Sequence, residues 1–186
     1  MRVVKARFYT SHLPTLNSQI RLMTLNDLLS EKRAIILQRW FDRILEDYPL
    51  ESQAFFRENK SPYSNPIGFA LRRGMEGVID YLLRPATVEE ARAILEPVMK
   101  VRAVENLPPF QGGKFFLPLR EIFGEIMKEA KTKDLPGREW LDLNSQISQL
   151  ALLGMNLYSE CREKVNQLRI TEGEKRARLQ DRRSEV

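Results

Sequence analysis

Few side chains in this sequence of 186 residues combine a type and a spacing that could do chemistry. Arg102 is one, because Val101-Arg102-Ala103-Val104 embeds a cation in an apolar helical run. Aimed into a cavity, it would hold a carboxylate or a buried partner. Lying along the surface, its stem would cover apolar neighbours while the guanidinium reached water. Local spacing favours this second, snorkelling arrangement. Cys161 is another candidate. Beside Arg162 and Lys164 its thiol pKa would fall, and it would become a redox sensor; the commoner fate of a free cysteine is to pack as a small apolar residue. Phe110, Phe115, Phe116 and Phe123 form an aromatic set at mixed helical spacing, read as core ahead of ligand pocket.

Other chemistries are excluded by what is missing. The single histidine, His12, lies near the N-terminus, so a Ser–His–Asp or Cys–His site of the usual kind is not expected, nor a histidine-bearing zinc site. Gly112-Gly113 alone does not make a phosphate-cradling loop. Carboxylates such as Glu125 and Glu129 read as solvated helix-face charges. The expectation is a protein without catalytic residues, metal or cofactor.

The elements that must position these side chains are helices. Thr24-Leu25-Asn26-Asp27 fits a capping box opening a helix to about Asp47, with an apolar stripe from Leu25 and Leu28 to Trp40 and Ile44. Tyr48-Pro49 ends it, since the residue before proline is pushed out of the helical region. A short helix spans Leu50 to Arg57. Asn65 then caps a helix with Pro66 at its first position, running through Phe69 and Met75 to Leu82. Thr87 to Glu90 is a second capping box, opening a helix to Val104 with Pro97 as a kink or break. Leu107-Pro108-Pro109 stops it and starts the next, in which Pro118 is expected to bend a run from Phe115 to Ile126. Lys133 to Gly137 is the last turn. No alternation of strand type appears, so the class is all-α, with six or seven helices and no repeats.

Composition fits that class. Hydrophobic residues at 42% and charged residues at 30% describe one soluble globular domain. No apolar run approaches the roughly 20 residues of a membrane span, and no secretory signal opens the chain. One cysteine allows no internal disulfide and suits a cytoplasmic, reducing compartment. The net charge of +5 suggests nucleic acid at first sight, but four basic and no acidic side chains lie in residues 1–23, and residues 171–186 hold five basic and four acidic ones. The body between is balanced, so it lacks the basic face that phosphate binding needs. Residues 1–23 read as a basic flexible tail, unpacked, with Met23 as a candidate true start; a membrane- or partner-binding arm is the less favoured reading.

From Trp140 the chain reads as one terminal helix, apolar through Leu153, half-apolar through Ile170 and then almost wholly charged. Tyr158, Cys161, Val165 and Leu168 recur at spacings of three and four, on one stripe. A stripe carried beyond its own body asks for a partner helix, hence a connection or a dimer seam.

Leu28 through Tyr48-Pro49, Asn65-Pro66-Ile67-Gly68, Val101-Arg102-Ala103-Val104-Glu105, Pro109, and Tyr158 with Cys161-Arg162-Glu163-Lys164 resemble the RsbT co-antagonist RsbRD N-terminal domain family, over about Leu25 to Arg178. The motifs are short; their order and spacing carry the likeness. Where relatives continue Arg-Ala-Val with Gln and carry Pro-Ser-Gln-Ala, this chain has Glu105 and Pro109-Phe110-Gln111-Gly112. The resemblance implies a globin-like, haem-less, dimeric sensory module of stressosome-type signalling proteins, and the residues agree, since no mid-chain histidine exists to ligate iron. In relatives the last helix leads into a STAS domain that binds partners including a switch kinase; this sequence ends before one, so a stand-alone module is expected.

The resulting expectation is a non-enzymatic, homodimeric regulatory domain over residues 24–170, with residues 171–186 as the charged end of its output helix. Its ligand would be a small apolar molecule or a carboxylate. Arg102 would be the counter-charge and Trp40, Phe69 and Phe115 the walls. Tyr158, Cys161, Arg162, Val165 and Leu168 would form the seam and the root of the output helix. The alternative is a protein-interaction subunit without ligand, gripping a partner through the C-terminal helix.

Overall fold

Thr24 begins the described chain as the expected cap: its Oγ1 accepts from the Asp27 N–H at 3.1 Å, and Asp27 Oδ2 accepts from the Thr24 N–H at 3.1 Å. The computed structural model describes residues 24–58, 61–84, 86–105, 110–130 and 137–184, with the backbone alone for Gln111 and residues 181–184. The tail with His12, the Leu107-Pro108-Pro109 stop and the turn from Lys133 lie outside the described residues. The elements are α1 (Leu25–Glu31), α2 (Arg33–Leu45), α3 (Leu50–Glu58), α4 (Pro66–Leu82), α5 (Val88–Val104), α6 (Gln111–Lys114), α7 (Leu117–Glu129) and α8 (Gly137–Ser184). The chain is all-α, and among the described residues there is no strand. Seven of these helices exceed a single turn.

Two expected helices are divided. The first bends at Lys32 (φ −91°, ψ 7°). Its apolar stripe migrates around the helix between Leu25, Leu28 and Leu29 and the later Phe41, Ile44 and Leu45, and the bend lets both sets reach the core. The run around Phe115 breaks between α6 and α7. Pro118 sits in the first turn of α7, where its missing N–H costs nothing, so it starts a helix where a bend was expected. Pro97, by contrast, stays inside a continuous α5. Asn65 caps α4 as expected, its Oδ1 accepting from the Gly68 N–H at 2.8 Å. Only half of the second capping box forms. Thr87 Oγ1 accepts from the Glu90 N–H at 3.2 Å, while the Glu90 carboxylate turns to Arg84 at 2.7 Å.

One continuous cluster of buried side chains runs from Leu25, Leu28 and Leu29 of α1 through Ile36, Trp40 and Ile44 of α2 to Leu143, Ile147 and Leu150 of α8. α2 is fastened to α7 by a charge ladder. Arg39 reaches both oxygens of Glu129 (2.9 and 3.1 Å), and Arg43 reaches Glu121 (2.5 Å) and Glu125 (2.6 Å). Glu125 and Glu129 are therefore paired across helices, not merely solvated. Along α5, Arg92 grips both oxygens of Glu160 on α8 at 3.2 and 3.1 Å.

α8 is 48 residues long, about 70 Å at roughly 1.5 Å per residue. Its inner face is buried through Cys161 and half-buried at Val165, and every described side chain from Asn166 to Gln180 is exposed. Among the described residues no helix is long and apolar enough to cross a membrane, and no group of three metal-ligating side chains is assembled.

Candidate functional site

The end of α5 carries a buried cation. Arg102 is 0% exposed, so it does not snorkel to solvent; α5 presents this residue to the interior at the point where the C-terminus of α2 and the α6–α7 junction cover it. Its guanidinium carbon stands 5.9 Å from the centroid of the Phe115 ring, and Nη1 lies 3.5 Å from Tyr48 Oη. Tyr48 in turn donates its hydroxyl to Glu105 Oε2 at 2.9 Å. The Glu105 carboxylate, one turn beyond the arginine, thus lies across the Tyr48 hydroxyl from it. Burial raises the Tyr48 phenol above its ordinary range against the opposing pull of Arg102, which keeps it a proton donor. The ring also meets Phe56 edge-on, with centroids 5.2 Å apart. Beside this cluster Lys114 of α6 pairs with Asp47.

Burial likewise raises the Glu105 carboxyl, while the hydrogen bond from Tyr48 and the charge of Arg102 hold it back. A carboxyl raised on folding contributes stability that is complete below the unfolded pKa and is lost as pH rises through the folded one. The melting temperature should therefore carry a component that falls as pH rises from about 4.3, the ordinary glutamate value, toward neutrality. Glu105→Gln should flatten that component in a calorimetric pH series; an unchanged slope would contradict the assignment to Glu105.

Trp40 belongs to the same region. Its indole N–H donates to the Phe115 carbonyl at 2.8 Å, and the two rings lie 4.9 Å apart. The break between α6 and α7 leaves this carbonyl outside the helical ladder, and the buried indole needs an acceptor. Arg102, Trp40 and Phe115 are brought together, each at 0% exposure, and packed as core. Phe69 is not with them; it lines a groove between α4 and α5. Phe116 and Phe123 are core as expected, whereas Phe110 is exposed.

Next to this knot, α6 is pressed onto α8. A Cβ on Gly112 would stand 2.8 Å from Tyr158 Cβ, one on Gly113 2.9 Å from Met155 Sδ, and one on Gly154 2.5 Å from Phe116 Cε2. Tyr158 is fully buried there, and its Oη accepts from Arg162 Nη1 at 3.0 Å. The expected seam therefore divides. Tyr158 and Cys161 are consumed by the chain's own core, Val165 is half-buried, and Leu168 is 65% exposed. Cys161 also departs from the sensor reading, since burial raises its thiol while Lys100 and Lys164 only oppose this. A surface between copies can begin at Val165, not at Tyr158.

Sequence reasoning passed over Tyr48 and Glu105, the first read only as a helix end and the second as a family position. It also passed over the glycine faces of α6 and α8. The chain matches the family described as RsbT co-antagonist protein RsbRD N-terminal domain over residues 34–172. No curated protein and no solved structure matches it.

Proposed function

Because this chain belongs to the RsbT co-antagonist protein RsbRD N-terminal domain family, we propose that it acts as a non-enzymatic, haem-less sensory and regulatory module of stressosome-type signalling, homodimeric and read out through α8. The observation that carries this reading is the change in α8 at Val165. Up to Cys161 the helix is built into the core, and beyond it Leu168 and Leu179, which share the face that Val165 begins, stand 65% and 59% exposed. Burying a leucine of this kind in a second helix gains about 1.5–3 kcal/mol. The base of α8 is held by Arg92 and by the glycines of α6, so a shift of either helix is delivered to a rigid lever.

Light scattering of the native chain and of a version ending at Asn166 tests this. The native chain should have the mass of a dimer and a melting temperature that rises with protein concentration. The shortened one should have the mass of a monomer and a lower, concentration-independent melting temperature, with circular dichroism showing that the body stays folded. Equal masses for the two would refute the seam. A monomeric native chain would instead favour the alternative, in which the same face is covered by another protein's helix.

A further inference from the structure

The groove that holds Phe69 separates two closely packed helices. A Cβ on Gly74 would fall 2.1 Å from Val98 Cγ2, and one on Gly77 2.8 Å from Ile94 Cγ2, so both side chains of α5 seat in notches on α4. Over that contact runs a groove of about 620 Å³, with Gly74, Gly77 and Val98 in its lining and Phe69, Ala70, Ala93, Ile94 and Pro97 as its walls. This lies within the roughly 300–1,000 Å³ of ordinary small-ligand sites. The one ionisable side chain lining it is Arg73, which is exposed, and no carboxylate shares the lining.

The geometry points to an amphipathic anion as the occupant: a medium-chain alkyl carboxylate, its chain along the α4–α5 groove and its head group on Arg73. Two features favour it over a protein segment. The groove runs only from Phe69 to Gly77 on α4, about 12 Å at roughly 1.5 Å per residue, too short for the area of a specific protein interface. It also places a single cation at the rim of apolar walls, the complement of one charged head on one apolar tail. Occupancy bears on α8 as well. Ile94 and Val98 sit on α5, whose Arg92 grips Glu160, so a chain wedged against them loads the helix that holds the lever. This deepens the sensory reading above and rests on it only for the consequence of binding; the binding itself is independent of α8.

Titration calorimetry with octanoate, decanoate and decyltrimethylammonium, each below its micellar concentration, tests the site on the native chain and on Arg73→Glu and Ala93→Trp. Both substitutions fall on exposed positions, and circular dichroism verifies that each variant is folded. Decanoate should bind saturably, one per chain, and about tenfold more tightly than octanoate, from roughly three- to fourfold per buried methylene. Arg73→Glu should weaken decanoate at least tenfold and reverse the preference toward decyltrimethylammonium. Ala93→Trp should abolish binding of both. The proposal is overturned if decanoate shows no saturable binding, if Arg73→Glu leaves the preference between the two head groups unchanged, or if Ala93→Trp leaves decanoate binding intact. A dimer that Ala93→Trp splits, with no decanoate bound by the native chain, would show a second copy seated in the groove and overturn it as well. Saturable decanoate binding by a chain whose mass is indifferent to truncation at Asn166 would keep this site and remove the proposed role of α8.

Discussion

Arg102→Ala should lower the unfolding free energy by about 3–5 kcal/mol, measured by urea denaturation. Two losses combine. The fully buried side chain leaves a cavity against the Phe115 ring, and the Tyr48–Glu105 pair loses the cation that faces it. Against a total stability of about 5–15 kcal/mol, that is a large share. Arg102→Met separates the two losses, because it restores most of the packing without the charge. Glu105, already raised by burial and held back in part by Arg102, would rise further in this variant. Its deficit should therefore shrink as pH falls and the carboxyl protonates. The double variant Arg102→Met, Glu105→Gln should recover much of the loss at neutral pH, since an apolar replacement of a buried ionic group is often close to neutral. A loss below about 1 kcal/mol for Arg102→Ala, the size of an ordinary surface change, would mean that the arginine is not integral to the core.

The contrast between what could and could not be read beforehand follows from how far each signal reaches along the chain. Caps are local. Thr24 with Asp27 and Asn65 with Pro66 are recognisable within four residues and hold in the structure. Helical stripes are nearly as local, and Trp40, Ile44 and Met75 are core as their spacing implies. The partners of Arg102 are not local. A single cation in an apolar run reads as snorkelling until Tyr48, 54 residues earlier, is brought against it. Phe69, Trp40 and Phe115 were grouped by type, and only tertiary packing separates Phe69 from the other two. The stripe from Tyr158 to Leu168 has one continuous period, so sequence alone cannot say where the chain's own core stops covering it; α5 and α6 decide that between Cys161 and Val165. Gly112 and Gly154 carry no periodic signal at all, because what they supply is the absence of a side chain.

That absence sets the second large effect. Gly154→Leu should cost about 3 kcal/mol or more, at the upper end of overpacking, while a methyl group added at an open helical glycine should gain stability. At Gly154 a Cβ would sit 2.5 Å from Phe116 Cε2 and 3.3 Å from the Gly112 carbonyl oxygen. Phe116 is fully buried, so its ring has no solvent side into which to swing, and the backbone of α6 closes the other direction. At Gly124, in the middle of α7, a Cβ would meet nothing within 4 Å. Gly124→Ala should there gain about 0.5–1 kcal/mol from the better helix propensity of alanine. Gly154→Ala is the discriminating member of the set, since it gains the same propensity but must still displace Phe116 or α6, and its net change should be a loss of about 1–2 kcal/mol. Opposite signs for Gly154→Ala and Gly124→Ala, read from urea midpoints at constant m, would place the difference in packing and not in helix formation. Equal signs would mean that α6 yields freely, and a helix that yields freely could not grip the base of α8 or pass any movement of the body along it.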